Sequence, residues 1–551
     1  MGEHEGMPDV KDVDLEQAVP LEPPQPAAGP PPAANGTERQ APEETAAPSP
    51  GKDPAPADEE PPAAEHGEPA QQQEQQKQQK QQQQEQPDLP FDAPFAPPLP
   101  PFDFWQDAVL LCLLGGALGA FGYAYLTAFT KVTNAWLRAD GNGGFPDAAS
   151  LQFGAGRAWW AGLAAGAGLA VGLAKAALSL DEVPTFITEL RSMHVEPLQG
   201  CATSAIALLG FFGGVPMGPE AGLGAAAGAA GALLGRLPRL RPASGPGAAS
   251  RRRLYVFSAM CSALASIMPT PLATLLLVLE LGRPAATRAP LGEVPYMRTL
   301  TLLGAGATAS FVVYYAIQGG VYLLPFNTLL SVLPYAKYNQ LFIVQGMFFG
   351  VIGAAFGFCY ILIGGVVKAL IGPLRQALDA RLGCRLRMVI LATAGGLATG
   401  LLGWAMPLVL TDGSEQLDTV LRDSRAVGSS VLAGSAFAKA LAYHVCAECG
   451  FPGGLFLPML SMSAMLGAVF MNETGVNKVV AMACSLIAMP AAVIPAPIML
   501  SVLAVSLLQG GTEGLVPIFT TALTAHLLCL GLGLPQWLVS AAAARKQRKA
   551  Q

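Results

Sequence analysis

Two glycine- and proline-rich segments hold the residues of this 551-residue chain with the clearest chemical use. The first is Gly213-Gly-Val-Pro-Met-Gly-Pro-Glu220-Ala-Gly, which opens a small-residue helix over Leu223–Leu234. The second is Gly450-Phe-Pro-Gly-Gly-Leu-Phe456-Leu-Pro458, which opens a helix through Gly467. A helix that starts at membrane depth leaves N–H groups unpaired and points its positive dipole end inward. Several such ends, converging, would hold a dehydrated anion without full positive charges and would let it leave. Glu220 is the only acid in its apolar stretch. At a helix start its carboxylate is drawn by the same dipole and competes with a bound anion. The plainer alternative is a first-turn acid that only stabilises the helix start. Phe456 taken as a side chain reads as core packing, and the glycines around it bring its backbone N–H into consideration.

The elements that must position these residues are membrane helices. Hydrophobic residues make up 52% of the chain and charged ones 13%, where a soluble protein carries about 25% charged. Apolar runs near or above the ~20-residue spanning length recur at 107–129, 158–180, 299–317, 341–371 and 388–411. Each glycine-rich segment precedes an apolar stretch broken by paired prolines, Pro269-Thr-Pro271 in one half and Pro495-Ala-Pro497 in the other. This pattern predicts a duplicated architecture with a site between the halves. Basic clusters at Arg236–Arg253, Arg283–Arg298, Lys368–Arg387 and Arg545–Lys549 place those loops, and the C-terminus, in the cytoplasm.

Charge is distributed unevenly. The first 101 residues hold 20 acidic and 5 basic side chains, which leaves 19 acidic and 28 basic for the rest. Residues 1–103 are rich in Pro, Ala, Glu and Gln and bury too little apolar surface to fold, so a disordered tail is expected. It has no apolar core of a signal peptide, and its partner, if it has one, is not legible. A transmembrane domain is expected over 104–545 and a short basic tail over 546–551. Nine scattered cysteines do not form a disulfide framework. Cys446 and Cys449 stand as a CxxC beside His444, but no second cluster completes a metal site, so neither metal nor cofactor is expected. There is no HExxH and no GxSxG-type turn in an apolar segment, which argues against an enzyme. The basic runs are short and lie at membrane edges, not in a nucleic-acid-binding stripe.

These segments, in order and spacing, resemble the CLC family of chloride channels and proton/chloride exchangers. Gly218-Pro-Glu220 is similar to its GxE(G)P segment, and Gly453-Gly-Leu-Phe456-Leu-Pro458 to its GxFxP segment. Met268-Pro-Thr-Pro271-Leu-Ala, followed by Leu276-Leu-Val-Leu-Glu280, resembles its Asn-Ala-Pro-Leu helix. Asp181-Glu-Val-Pro184 takes the place of its Gly-Ser-Gly-Ile-Pro motif. The resemblance implies an all-α bundle of tilted and broken helices in two inverted halves, a homodimer with one pathway per subunit, and chloride or another small anion as cargo. It also implies that Glu220 is the gating glutamate. Gly218, Pro219, Leu455, Phe456 and Leu457 are then expected at the anion, the last two through backbone N–H groups.

Three positions depart from the family. The serine that donates to chloride is Asp181, whose charge would repel an anion unless it is protonated or points away. The pore-lining tyrosine falls on Trp537, whose indole can donate but not accept. The proton-relay glutamate of the exchangers falls on Leu281, which carries no proton, while the adjacent Glu280 is expected to pair with Arg283 one turn on. A chloride channel gated by Glu220 is the leading expectation. A proton/chloride antiporter and a degenerate, non-conducting subunit are the alternatives.

Overall fold

The structure, a computed structural model, describes residues 101–138, 145–181, 183, 186, 189–190, 193–236, 246–268, 270–281, 296–319, 339–507 and 512–532. Trp537, Arg283, the basic tail and all but the last three residues of the expected N-terminal tail lie outside them. The described residues form fifteen α-helices and no strand. Among the described residues, seven helices are long and apolar enough to cross a membrane, as the recurring apolar runs require. This is a multi-pass membrane protein.

Helix α1 (Pro101–Leu137) and α2 (Trp159–Leu178) come first, and the 107–129 and 158–180 runs lie almost wholly within them. Three fifths of α2 is Ala and Gly, and it lies against the long helix α8 (Leu341–Ala405). A Cβ at Gly168 or Gly172 would strike the α8 backbone at Ala392 or Val389, so small residues set the approach of the two helices. As one straight helix, the 65 residues of α8 would run ~97 Å, about three times the bilayer core. The helix breaks at Gly383, where φ is +78°, a conformation that costs glycine no Cβ clash.

The shorter helices carry the duplicated pattern. In the first half, α3 (Pro197–Phe212), α4 (Glu220–Leu234), α5 (Pro246–Ile267), α6 (Pro271–Leu281) and α7 (Tyr296–Gln318) follow α2. After α8 come α9 (Ser414–Arg422), α10 (Ser424–Val427), α11 (Ser429–Glu448), α12 (Phe456–Thr474), α13 (Lys478–Val493), α14 (Pro497–Leu507) and α15 (Thr512–Gly531). Helices α4 and α12 start at the two glycine-rich segments, and α12 runs seven residues beyond the expected Gly467. Helices α6 and α14 are each 11 residues long, and each starts at the second proline of its pair, where a missing N–H costs nothing. They pack against one another across the two halves.

The core centres on α12 and α13, the latter buried at every residue from Val480 to Ala492. Two buried charged groups show how it accommodates polarity. Lys439 of α11, fully buried, gives its Nζ to the carbonyls of Leu408 (3.0 Å), Val409 (3.4 Å) and Leu410 (3.1 Å) just past the end of α8. A cation there satisfies carbonyls that have no helical donor. Near the start of α1, Asp107 accepts from Arg251 and from the Tyr255 hydroxyl (2.6 Å), fastening α1 to α5.

Candidate functional site

The two glycine-rich segments meet. Gly218 N–H donates to the Gly454 carbonyl at 2.9 Å, and Gly454 N–H returns the bond to Gly218 at 2.7 Å, forming one antiparallel bridge. Residues 236 positions apart are thereby joined at the starts of α4 and α12. Pro219 is the residue before α4, and Glu220 opens it. The Glu220 side chain does not stay on its own helix. Its Oε1 accepts the backbone N–H of Leu457, in the first turn of α12, at 2.9 Å. Oε2 is buried and has no hydrogen-bond partner among the described residues. A Cβ on either Gly218 or Gly454 would collide with this carboxylate, so both glycines are the floor on which it rests.

The carboxylate therefore caps a second helix rather than its own. It sits at the N-terminus of α12, where the first N–H groups lack helical acceptors and the dipole is positive. Glu220 is 4% exposed, so no bulk water replaces these contacts. Beside it lies a cavity with about 60 Å³ open to the centre of a water-sized sphere. A water needs roughly 10–15 Å³ on this scale, so the space holds several waters or a small ion. Its walls include Phe186, Glu220, Leu277, Tyr443, Phe456 and Ile494, drawn from both halves of the chain. Leu455 also lines it, whereas Leu457 contributes through its N–H.

Asp181 lies elsewhere. It is not on the cavity wall, and its side chain is 42% exposed. Oδ1 accepts from Arg387 at 2.5 Å and from Arg375 at 3.3 Å, both on α8. Partial burial opposes ionisation, but the hydrogen bond and charge of Arg387, then of Arg375, hold the Asp181 carboxyl below its ordinary range. The expected repulsion of an anion is thus neutralised by two guanidinium groups. The reason is positional: this aspartate points away from the cavity, towards the turn of α8 around Gly383.

Leu281 is the last residue of α6. Its neighbour Glu280 is already engaged, with Oε1 accepting from Ile498 N–H and Oε2 from Met499 N–H, each at 2.8 Å. It caps the first turn of α14, a partner 218 residues away that sequence spacing could not supply. Tyr443 was also missed, because it reads as an ordinary member of an apolar helix. Among the described residues it is the only one on the cavity wall with a hydroxyl, and the expected donor Trp537 lies outside them. Among the described residues, no group of three or more His, Cys, Asp or Glu is arranged to hold a metal.

Comparison with known proteins bears on the whole arrangement. The family profile described as voltage gated chloride channel matches residues 163–530, two thirds of the chain. No curated protein sequence matches. The structure of a slow cyanobacterial Cl−/H+ antiporter is similar with a TM-score of 0.59 at 18% identity, covering 80% of this chain and 99% of that one. A eukaryotic CLC transporter gives 0.54 at 16% identity, covering 78% of this chain and 72% of that one. A CLC-type fluoride/proton antiporter gives 0.50 at 16%, covering 78% and 97%. At these identities the likeness is one of fold. With the profile spanning both halves, the chain belongs to the CLC, or voltage-gated chloride channel, family.

Proposed function

We propose that this protein conducts small inorganic anions passively, through one pathway per subunit, with Glu220 as the gate. The observation that carries the reading is the Glu220 carboxylate on the Leu457 N–H, above two glycines that leave room for it and for nothing larger. An anion that displaces it inherits the same N–H donors, and protonation of the carboxylate weakens its hold. Gly218 and Gly454 would form the floor, Pro219 and Leu455 the flanks, and Phe456 the wall. Chloride is the expected cargo, within a homodimer whose termini face the cytoplasm.

The solved structures of similar fold include two antiporters, and coupled exchange is the competing reading. It needs a proton route from the inner side to Glu220. Leu281 cannot serve, and both oxygens of Glu280 are committed to the backbone of α14. This supports a channel. The test is reconstitution in vesicles with a chloride gradient, a clamped potential and an internal pH dye. Chloride should move while internal pH stays constant. Sustained proton movement against its gradient, abolished by Glu220→Gln, would establish an exchanger instead.

A further inference from the structure

A second buried acid stands beside the Glu220 site and has no part in the gating reading. Asp412 lies in the loop that follows α8 and is 2% exposed. Its Oδ1 accepts from the backbone N–H (3.1 Å) and the hydroxyl (2.8 Å) of Ser414. The residues on either side of it are fixed to the two elements that make the site. Thr411 N–H donates to the Gly214 carbonyl at 2.9 Å, on the segment that ends in Glu220. Gly413 lies against Ser461 of α12, one turn beyond Leu457, so closely that a Cβ would strike the Ser461 hydroxyl. Its φ of +92° suits glycine as well. Asp412 is thus held between the helix start that supplies the carboxylate and the one that receives it.

Charged and titratable groups surround the two acids on several elements. Asp412 lies within electrostatic reach of Glu220, and α11 brings the Tyr443 hydroxyl near the same carboxylate. Lys439, one turn before Tyr443, acts on Asp412 and favours its ionised form. Its ammonium also fastens the loop, through the carbonyls of Leu408 and Leu410. Glu415, in the first turn of α9, senses Asp412 too. Its own charge is met by Asn134 at 3.1 Å and Arg138 at 3.6 Å.

We propose that Asp412 is a positioning residue for the gate: its charge, held by the loop between α4 and α12, favours protonation of Glu220 and sets the pH at which the pathway opens. The inference rests on the gating reading above. Of two neighbouring carboxylates, one takes up a proton more readily, because doing so removes a like-charge repulsion. A neutral Glu220 holds the Leu457 N–H less tightly. An ionised Asp412 therefore moves opening towards neutral pH. Without that charge, Glu220 stays ionised to lower pH, and opening needs more acid.

The experiment is chloride efflux from vesicles holding the full-length protein, with equal pH inside and out, stepped across the acid and neutral range. In Asp412→Asn, whose amide oxygen can still accept from Ser414, the pH of half-maximal efflux should fall by about half to one unit. Asp412→Ser is a second variant and should shift it the same way. Glu415→Gln, whose charge is already matched, should shift it less. Efflux through Glu220→Gln should stay independent of pH with or without Asp412→Asn. An unchanged or raised midpoint in both Asp412 variants would overturn the proposal, as would an equal shift from Glu415→Gln. Failure of the gating reading looks different: Glu220→Gln itself would keep the wild-type pH response, and both readings would fall.

Discussion

Replacing Glu220 with glutamine changes one charge and almost no volume, so it isolates what the carboxylate contributes at its site. The amide oxygen can still accept the Leu457 N–H, but the bond is no longer charge-assisted. A hydrogen bond to a charged group contributes about 1.5–3 kcal/mol and a neutral one about half that. The helix dipole adds about 0.3–1 kcal/mol for a negative group in the first turn. The variant should therefore lose about 1–2 kcal/mol of preference for the plugged position, a factor of roughly 5–30 in its occupancy. Only one oxygen of the carboxylate is hydrogen-bonded, which keeps the figure within this range. In a vesicle chloride-efflux assay, Glu220→Gln should raise flux several-fold at neutral pH and flatten its pH dependence, because the amide does not titrate. Wild-type flux with wild-type pH response would refute the reasoning and return Glu220 to the role of a helix-start acid.

Other perturbations test the same geometry from different sides. Gly454→Ala places a methyl group where the Glu220 carboxylate lies. It should expel the side chain and raise chloride efflux as Glu220→Gln does, and an unchanged flux would mean that the carboxylate is not the obstruction. Glu280→Gln leaves one acceptor for the two N–H groups at the start of α14. It should cost about 1–2 kcal/mol and lower the unfolding midpoint in a thermal-shift assay by a few degrees, with ion selectivity unaltered.

Much of the fold was legible because its signals are local. The apolar runs, the proline pairs and the glycine-rich helix starts are each set within about ten residues, and the structure places helix starts at Glu220, Pro271, Phe456 and Pro497. Glu220 was legible for the same reason, as a lone acid at the start of a broken helix. What could not be read were partners chosen by tertiary packing. Arg387 is 206 residues from Asp181, and nothing near Asp181 announces that its charge is matched. Glu280 accepts two backbone N–H groups of α14, partners that spacing does not announce, while the expected Arg283 lies outside the described residues. Tyr443 was invisible because a tyrosine among alanines in a spanning helix has no distinguishing neighbour, and only the packing of α11 brings it to the cavity. The buried Lys439 escaped for a related reason, since its partners are backbone carbonyls, which any sequence can supply.

The bridge between Gly218 and Gly454 has a consequence for how the protein is made. Glu220 leaves the ribosome 237 residues before Leu457 does. At ordinary synthesis rates of about 5–20 residues per second, that interval is on the order of 10–50 s. For that time the first half sits in the membrane with an acid and with the N–H and carbonyl of Gly218, whose hydrogen-bond partners do not yet exist. The bridged site is a late product of biogenesis, assembled when the second half inserts and packs against the first. A first half released alone by a premature stop codon would retain those unsatisfied groups in the bilayer, which marks it for membrane quality control rather than for partial function.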